Sequence, residues 1–288
     1  MIRKGIILAG GYGTRMSPLT KVINKQLLPI YDKPLIYYPL SVLMLAGIKN
    51  ILIIVNKGQR SQFKNLLQDG SRFGIKINFL EQNKPKGLPD AFILGEKFIG
   101  KDNIALILGD NFFYGQSLTK KLKNCLALKS GCKILVHPVN KPELFGIAYT
   151  NKKNKIISIK EKPKKSKSNL AITGLYFFDN KVIDYSKSLK PSSRNELEIV
   201  DLLNIYKKSN KLSAEYLGRG GAWLDTGSID DYYSTSNFVS TLENRQGFKI
   251  ACLEEIAFKN NWINKKDINN AIKFYGNCDY SKYLKTII

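Results

Sequence analysis

The chain has a single histidine, His137, and its four cysteines, Cys125, Cys132, Cys252 and Cys278, form no C-x-x-C pair. A zinc cage and a disulfide framework are therefore both unsupported, and the thiols are expected to be reduced and mostly buried. Arginine is scarce, with seven residues against 39 lysines. The formal charge of +23 would suit a polyanionic partner, but phosphate and base readers favour the guanidinium fork, and no run here interleaves arginine with aromatics. No nucleic-acid partner is expected. Long apolar runs are missing too. Gly5 to Ala9, behind Arg3 and Lys4, is shorter than a signal-peptide core. The longest apolar stretch, Tyr37 to Ile48, contains Pro39 and falls short of the about 20 residues that span a bilayer. No membrane partner and a cytoplasmic location are expected.

What is present is globular composition, 43% hydrophobic and 11% aromatic over 288 residues, in a chain long enough to bury roughly 75% of its unfolded surface. Short apolar runs recur at Gly5 to Ala9, Ile51 to Val55, Ile75 to Leu80, Ile104 to Leu108 and Lys133 to Val136. Helical patterns lie between them at Pro34 to Ala46, Gln59 to Leu67, Pro89 to Phe98 and Ser117 to Leu128. This alternation predicts an α/β fold, a doubly wound, mostly parallel, Rossmann-like sheet with helices on both faces. Strands follow at Gly146 to Tyr149, Ile156 to Glu161 and Ile172 to Phe178, then helices at Lys181 to Leu189, Leu197 to Lys208 and Ile229 to Arg245. Without a Gly, Pro or Ser-rich linker, residues 1–288 are expected to form one domain. Its parts are expected to be a first half (1–140), a second half (141–250) and a helical appendix (251–288).

The run from Gly5 to Arg15 sends a buried strand into Gly10, Gly11 and Gly13, followed by Thr14 and Arg15. Glycines let backbone N–H groups close around an anion, and Arg15 can hold phosphate oxygens bidentately. The spacing lacks the Gly-Lys-Ser/Thr ending of a P-loop and the third glycine of G-x-G-x-x-G. Pro18 and Pro29 argue for an extended loop over the site and against a helix beginning at the last glycine. A strand followed by glycines is by itself a weak signal, and the continuation is what gives it meaning.

Met16 to Thr20, Lys25 to Ile30, Tyr31 to Pro34 and Tyr37 to Ile48 complete a text that resembles the sugar-nucleotide pyrophosphorylases, over nearly the whole chain to about residue 275. Among them it is most similar to members that take dTTP and glucose-1-phosphate. The resemblance implies the nucleotide-diphospho-sugar transferase type of fold and a Mg2+-dependent nucleotidyl transfer that releases pyrophosphate, opening a route to dTDP-L-rhamnose or another deoxysugar. Leu8, Gly10, Gly11, Gly13, Thr14, Arg15 and Lys25 would hold the nucleotide. Asp110, at the end of the Ile104 to Leu108 strand where open α/β sheets place ligands, would hold the metal together with Asp225.

Gln82 and Gly87 match the segment that reads the base, and a carboxamide suits the thymine edge because it donates and accepts. Phe145, Gly146, Glu161, Lys162, Ile172 and Tyr176 match the sugar-phosphate elements, with phenylalanine at 145 where the family commonly has tyrosine. Pro89 and Asp90 also depart from the usual text. Arg15, Lys25, Asp110, Lys162 and Asp225 are the implied catalytic set. The resemblance further implies a homotetramer and a separate feedback site for dTDP-L-rhamnose at Gly115, Arg219 and Glu255. Uridylyl or adenylyl transfer on the same fold, a nucleic-acid module and a non-catalytic nucleotide-sugar sensor are the rival readings.

Overall fold

Apolar runs without polar alternation can be satisfied only between two layers of helices, and the sheet is built on them. In the computed structural model, which describes residues 1–288, the strands are β1 (Lys4–Ala9), β2 (Pro29–Ile30), β3 (Lys33–Pro34), β4 (Asn50–Asn56), β5 (Lys76–Gln82), β6 (Ile104–Leu108), β7 (Asn111–Gly115), β8 (Cys132–Pro138), β9 (Gly146–Thr150), β10 (Ile156–Glu161), β11 (Leu170–Phe178), β12 (Leu212–Tyr216) and β13 (Gly221–Asp225). The helices are α1 (Leu19–Val22), α2 (Tyr37–Ala46), α3 (Arg60–Leu67), α4 (Asp90–Leu94), α5 (Glu96–Ile99), α6 (Leu118–Leu126), α7 (Val182–Ser188), α8 (Ile199–Lys208), α9 (Ile229–Gln246), α10 (Leu253–Lys259), α11 (Lys265–Tyr275) and α12 (Asp279–Thr286).

The main sheet runs β10-β9-β11-β6-β1-β4-β5, with β8 branching from β11 and β12 from β8. Strands β6, β1, β4 and β5 are parallel, so Ala9, Asn56, Gln82 and Leu108 all end at one carboxyl edge. Strand β11 enters antiparallel beside β6. The Lys133 to Val136 run does not join the parallel block, because β8 pairs antiparallel with β11 and parallel with β12. The helix expected from Pro89 to Phe98 breaks at Gly95 into α4 and α5. A Cβ at Gly95 would stand 2.9 Å from the Ala91 carbonyl and 3.1 Å from Ile6, so the chain turns there to pack on β1. The segment after Gly13 departs from the extended loop expected: tight turns at Thr14–Met16 and Lys25–Leu27 flank the four-residue α1, and the first turn begins directly after the last glycine.

One apolar cluster covers the sheet beneath α2, α3, α6 and the appendix, and a second lies beneath α4, α5, α7 and α8. A third joins the loop residues Met16, Leu28, Ile30 and Leu35 to Tyr232 and Val239 of α9. Behind it sits a dehydrated ion cluster. Lys33, 2% exposed, donates to Glu243, 4% exposed, at 2.8 Å. Asp32 and Lys249 close the ring, and the Ile250 N–H donates to Glu243 at 2.7 Å.

The appendix is held by polar groups within apolar surroundings, and the Tyr37 hydroxyl of α2 lies 3.2 Å from that of Tyr275. Fully buried Glu254 accepts from the Tyr275 and Tyr280 hydroxyls at 2.7 and 2.6 Å. Arg72 stacks on Phe274 and Phe73 with its guanidinium carbon 4.1 and 4.7 Å from the ring centres. No helix is long and apolar enough to cross a membrane.

Candidate active site

The glycine loop leaves β1 at the carboxyl edge, where the parallel strands stop and their N–H and C=O groups need partners. Gly11, Tyr12, Gly13, Thr14 and Arg15 line a cavity of about 390 Å³ with Lys25, Gln26, Pro85, Asp110, Glu196 and Gly227. Gly13 has φ of +59°, a left-handed backbone that glycine adopts without penalty. A Cβ there would meet Thr20 at 2.8 Å.

Asp110 and Asp225, 115 positions apart, are brought together by two short strands. Asn111 of β7 stands opposite Asp225 of β13, and the Thr226 hydroxyl and N–H both donate to the Asp110 carbonyl, at 2.9 and 3.2 Å. Burial pushes the Asp225 carboxyl up to about 7, and the Asp110 charge adds to the shift. Burial also raises Asp110, but Lys25, donating to it at 2.7 Å, and Asn111 outweigh that and leave it below the usual carboxylate value. Gly227 admits both sides of the site, since a side chain there would begin 3.0 Å from Arg15 and 3.0 Å from Asp225. Two carboxylates without a third protein ligand suit Mg2+ or a similar hard cation, which retains water and binds substrate phosphates. Their mutual repulsion is what a divalent ion would relieve.

The residues expected to bind sugar divide into two groups. Gly146 and Glu161 are register partners across β9 and β10, and a Cβ on Gly146 would lie 3.2 Å from Glu161 and 3.8 Å from Ile172. Tyr176 is buried on the same strand as Ile172; burial raises its hydroxyl pKa, and the Glu161 charge adds to that. Lys162 holds φ of +39°, uncommon for a lysine, with its N–H bonded to the Phe145 carbonyl at 3.0 Å. Such strain is often found where a side chain must be aimed. The Phe145 ring packs 5.1 Å from that of Trp223 and lines a second cavity of about 440 Å³ that also reaches Asp225.

Leu8 packs into the core below the loop, and Gln82 lies under the glycines, so neither lines the glycine-loop cavity. Gly87 pairs with Leu197. This brings up the 190–198 segment, whose Glu196 lines the cavity and whose Arg194 stands 3.8 Å from Glu161. Those two residues, and Gln26 with its buried, unpartnered Oε1, were not picked out from the sequence. Gln26 lies within the Lys25 to Ile30 motif, whereas residues 190–196 read as an ordinary polar loop. Gly87 has φ of +96°, and its Cβ would fall 2.1 Å from the Leu197 carbonyl. Gly87→Ala is expected to lower stability by about 1–3 kcal/mol and the melting temperature by several degrees. An unchanged thermal melt would show that the two segments do not depend on this contact.

The family model described as nucleotidyl transferase matches residues 4–241. The glucose-1-phosphate thymidylyltransferase of Neisseria meningitidis serogroup A is 50% identical over 285 residues, covering 99% of each chain. The chain belongs to the nucleotidyl transferase family, among its glucose-1-phosphate thymidylyltransferases. Another member, from Mycobacterium tuberculosis, is 42% identical over 99% of each chain. A solved Bacillus anthracis structure assigned to the same enzyme is 40% identical, with a TM-score of 0.76 over 82% of this chain and 94% of that one. A solved UDP-glucose pyrophosphorylase is 28% identical with a TM-score of 0.73, covering 84% of this chain and 99% of its own. Both solved proteins share this chain's architecture.

A larger cavity, about 490 Å³, opens on the opposite end of β7 and is lined by Gly115, Tyr114, Ala251, Glu255 and Lys259 among others. Arg219 does not line it, although Gly220 and Gly221 pack on Gly115.

Proposed function

We infer that the chain joins dTTP to glucose-1-phosphate, releasing pyrophosphate and forming dTDP-glucose. The convergence of Asp110 and Asp225 beside a cation-lined glycine loop carries this reading. The sugar phosphate is already an anion at neutral pH and attacks the α-phosphorus in line, so no general base is needed. Positioning and charge neutralisation supply most of the acceleration in such transfers. Arg15 and Lys25 hold the triphosphate and neutralise the departing pyrophosphate. Glu161 accepts sugar hydroxyls, Lys162 orients the sugar phosphate, and Gln82 and Gly87 face the base. Asp110 and Asp225 would hold Mg2+, which would supply neutralisation of the phosphate charge beside Arg15 and Lys25.

Pyrophosphate release measured with glucose-1-phosphate and each of dTTP, UTP and ATP tests the assignment. The highest kcat/KM is expected with dTTP, and activity should be lost with excess EDTA and return with Mg2+. A preference for ATP, or full activity in EDTA, would overturn it. We further propose a homotetramer and feedback control by dTDP-L-rhamnose at the 490 Å³ cavity. Titration calorimetry with that nucleotide sugar, alongside initial rates, tests the second point.

A further inference from the structure

Buried carboxamides are costly unless each donor and acceptor is matched, and three of them converge under the glycine loop. Asn24, Asn56 and Gln82 are 3%, 9% and 4% exposed. Asn24 Nδ2 donates to the Ala9 carbonyl at 3.2 Å, Gln82 Nε2 to the Gly10 carbonyl, and Asn56 Nδ2 to the Gly11 carbonyl at 3.2 Å. The Thr20 hydroxyl holds the Gly13 carbonyl at 2.8 Å. In a trans peptide the C=O and the following N–H point in opposite directions. Fixing the carbonyls of Gly10 and Gly11 therefore aims the N–H groups of Gly11 and Tyr12, which bond to no backbone carbonyl of the chain and belong to cavity-lining residues. Gly10 makes room for this arrangement, since a Cβ there would lie 2.1 Å from Gln82 Nε2.

We propose that Asn56 is a positioning residue for the nucleotide, with two tasks: it holds the Gly11 carbonyl back, and it sets which end of the Gln82 amide meets the base. Gln82 Nε2 also donates to Asn56 Oδ1 at 3.1 Å, so both of its N–H bonds are committed. Turning the amide over would place Oε1 against two acceptors, the Gly10 carbonyl and Asn56 Oδ1. Gln82 therefore presents Oε1, an acceptor, which matches the ring N–H of thymine or uracil and opposes the ring nitrogen acceptor of cytosine. The base-selecting task rests on the reading of Gln82 as the residue that faces the base.

Steady-state rates with dTTP and dCTP test both tasks in Asn56→Leu, Asn56→Asp and Gln82→Ala. Asn56→Leu loses both contacts; KM for dTTP is expected to rise at least tenfold, KM for glucose-1-phosphate to stay within twofold, and the dTTP over dCTP preference to fall about tenfold. Asn56→Asp keeps the acceptor for Gln82 but cannot donate to Gly11, so KM for dTTP should rise while the preference survives. The proposal is overturned if Asn56→Leu keeps both KM for dTTP and the preference within twofold of the parent. It is equally overturned if both KM values rise together with a lower melting temperature, the mark of a merely structural residue. Should Gln82→Ala abolish the preference while Asn56→Leu leaves it intact, the base-facing reading stands and this inference fails. Should Gln82→Ala leave it intact, the base-facing reading itself fails.

Discussion

Asp225→Asn is expected to slow pyrophosphate release about 10²–10³-fold while making the metal-free protein harder to unfold. Both effects have one origin. The carboxylate lies buried against Asp110, and its pKa rises to about 7 because ionisation there is unfavourable without a cation. A carboxyl raised in the folded state contributes its full stability below its ordinary pKa of about 4. That contribution is lost as pH rises toward 7 and stays lost above it. Asparagine keeps the shape and never ionises. In EDTA the variant should therefore melt above the parent at pH 8, by a margin that shrinks toward pH 4. Equal melting at both pH values, or turnover within threefold of the parent, would show that the site does not carry this burden.

Glu243→Ala should be the most destabilising single change outside the hydrophobic core. It leaves two cations, Lys33, 2% exposed, and Lys249, sharing Asp32 alone, and strips the acceptor from the Ile250 N–H. Removing one member of a buried pair costs about 3–5 kcal/mol, a drop on the order of 10 °C in a domain of this size. Replacing both partners, as in Lys33→Met with Glu243→Leu, should recover most of the loss, because no orphaned charge remains. Thermal melts of the single and double variants decide the matter; a double variant no better than the single would mean that the charges themselves are required.

The parallel block was legible because strands buried on both faces are near-continuous runs of branched apolar residues. The glycine loop was legible because three glycines after such a run have few other uses. Strands β7 and β13 were missed. Each is a short segment bounded by glycines, and only their pairing across 106 or more residues makes them strands. Asp110 and Asp225 could be proposed as partners from resemblance, yet their proximity depends on that missed pairing. Asn24 and Asn56 left no trace either, since a side-chain amide that bonds backbone carbonyls follows no period. The packing of the Phe145 ring on Trp223 was not legible either, because only the neighbouring strand reveals it.

The appendix carries a last consequence, for biosynthesis. Helix α2 is buried at nine of its ten residues, and α10 forms part of that cover. A nascent chain stopped at Ile250 would expose Tyr37 and part of this stripe to water and leave Arg72 without Phe274 and Tyr275. The domain can therefore reach its final packing only after its carboxyl end has cleared the ribosome, and until then it offers chaperones a sticky seam.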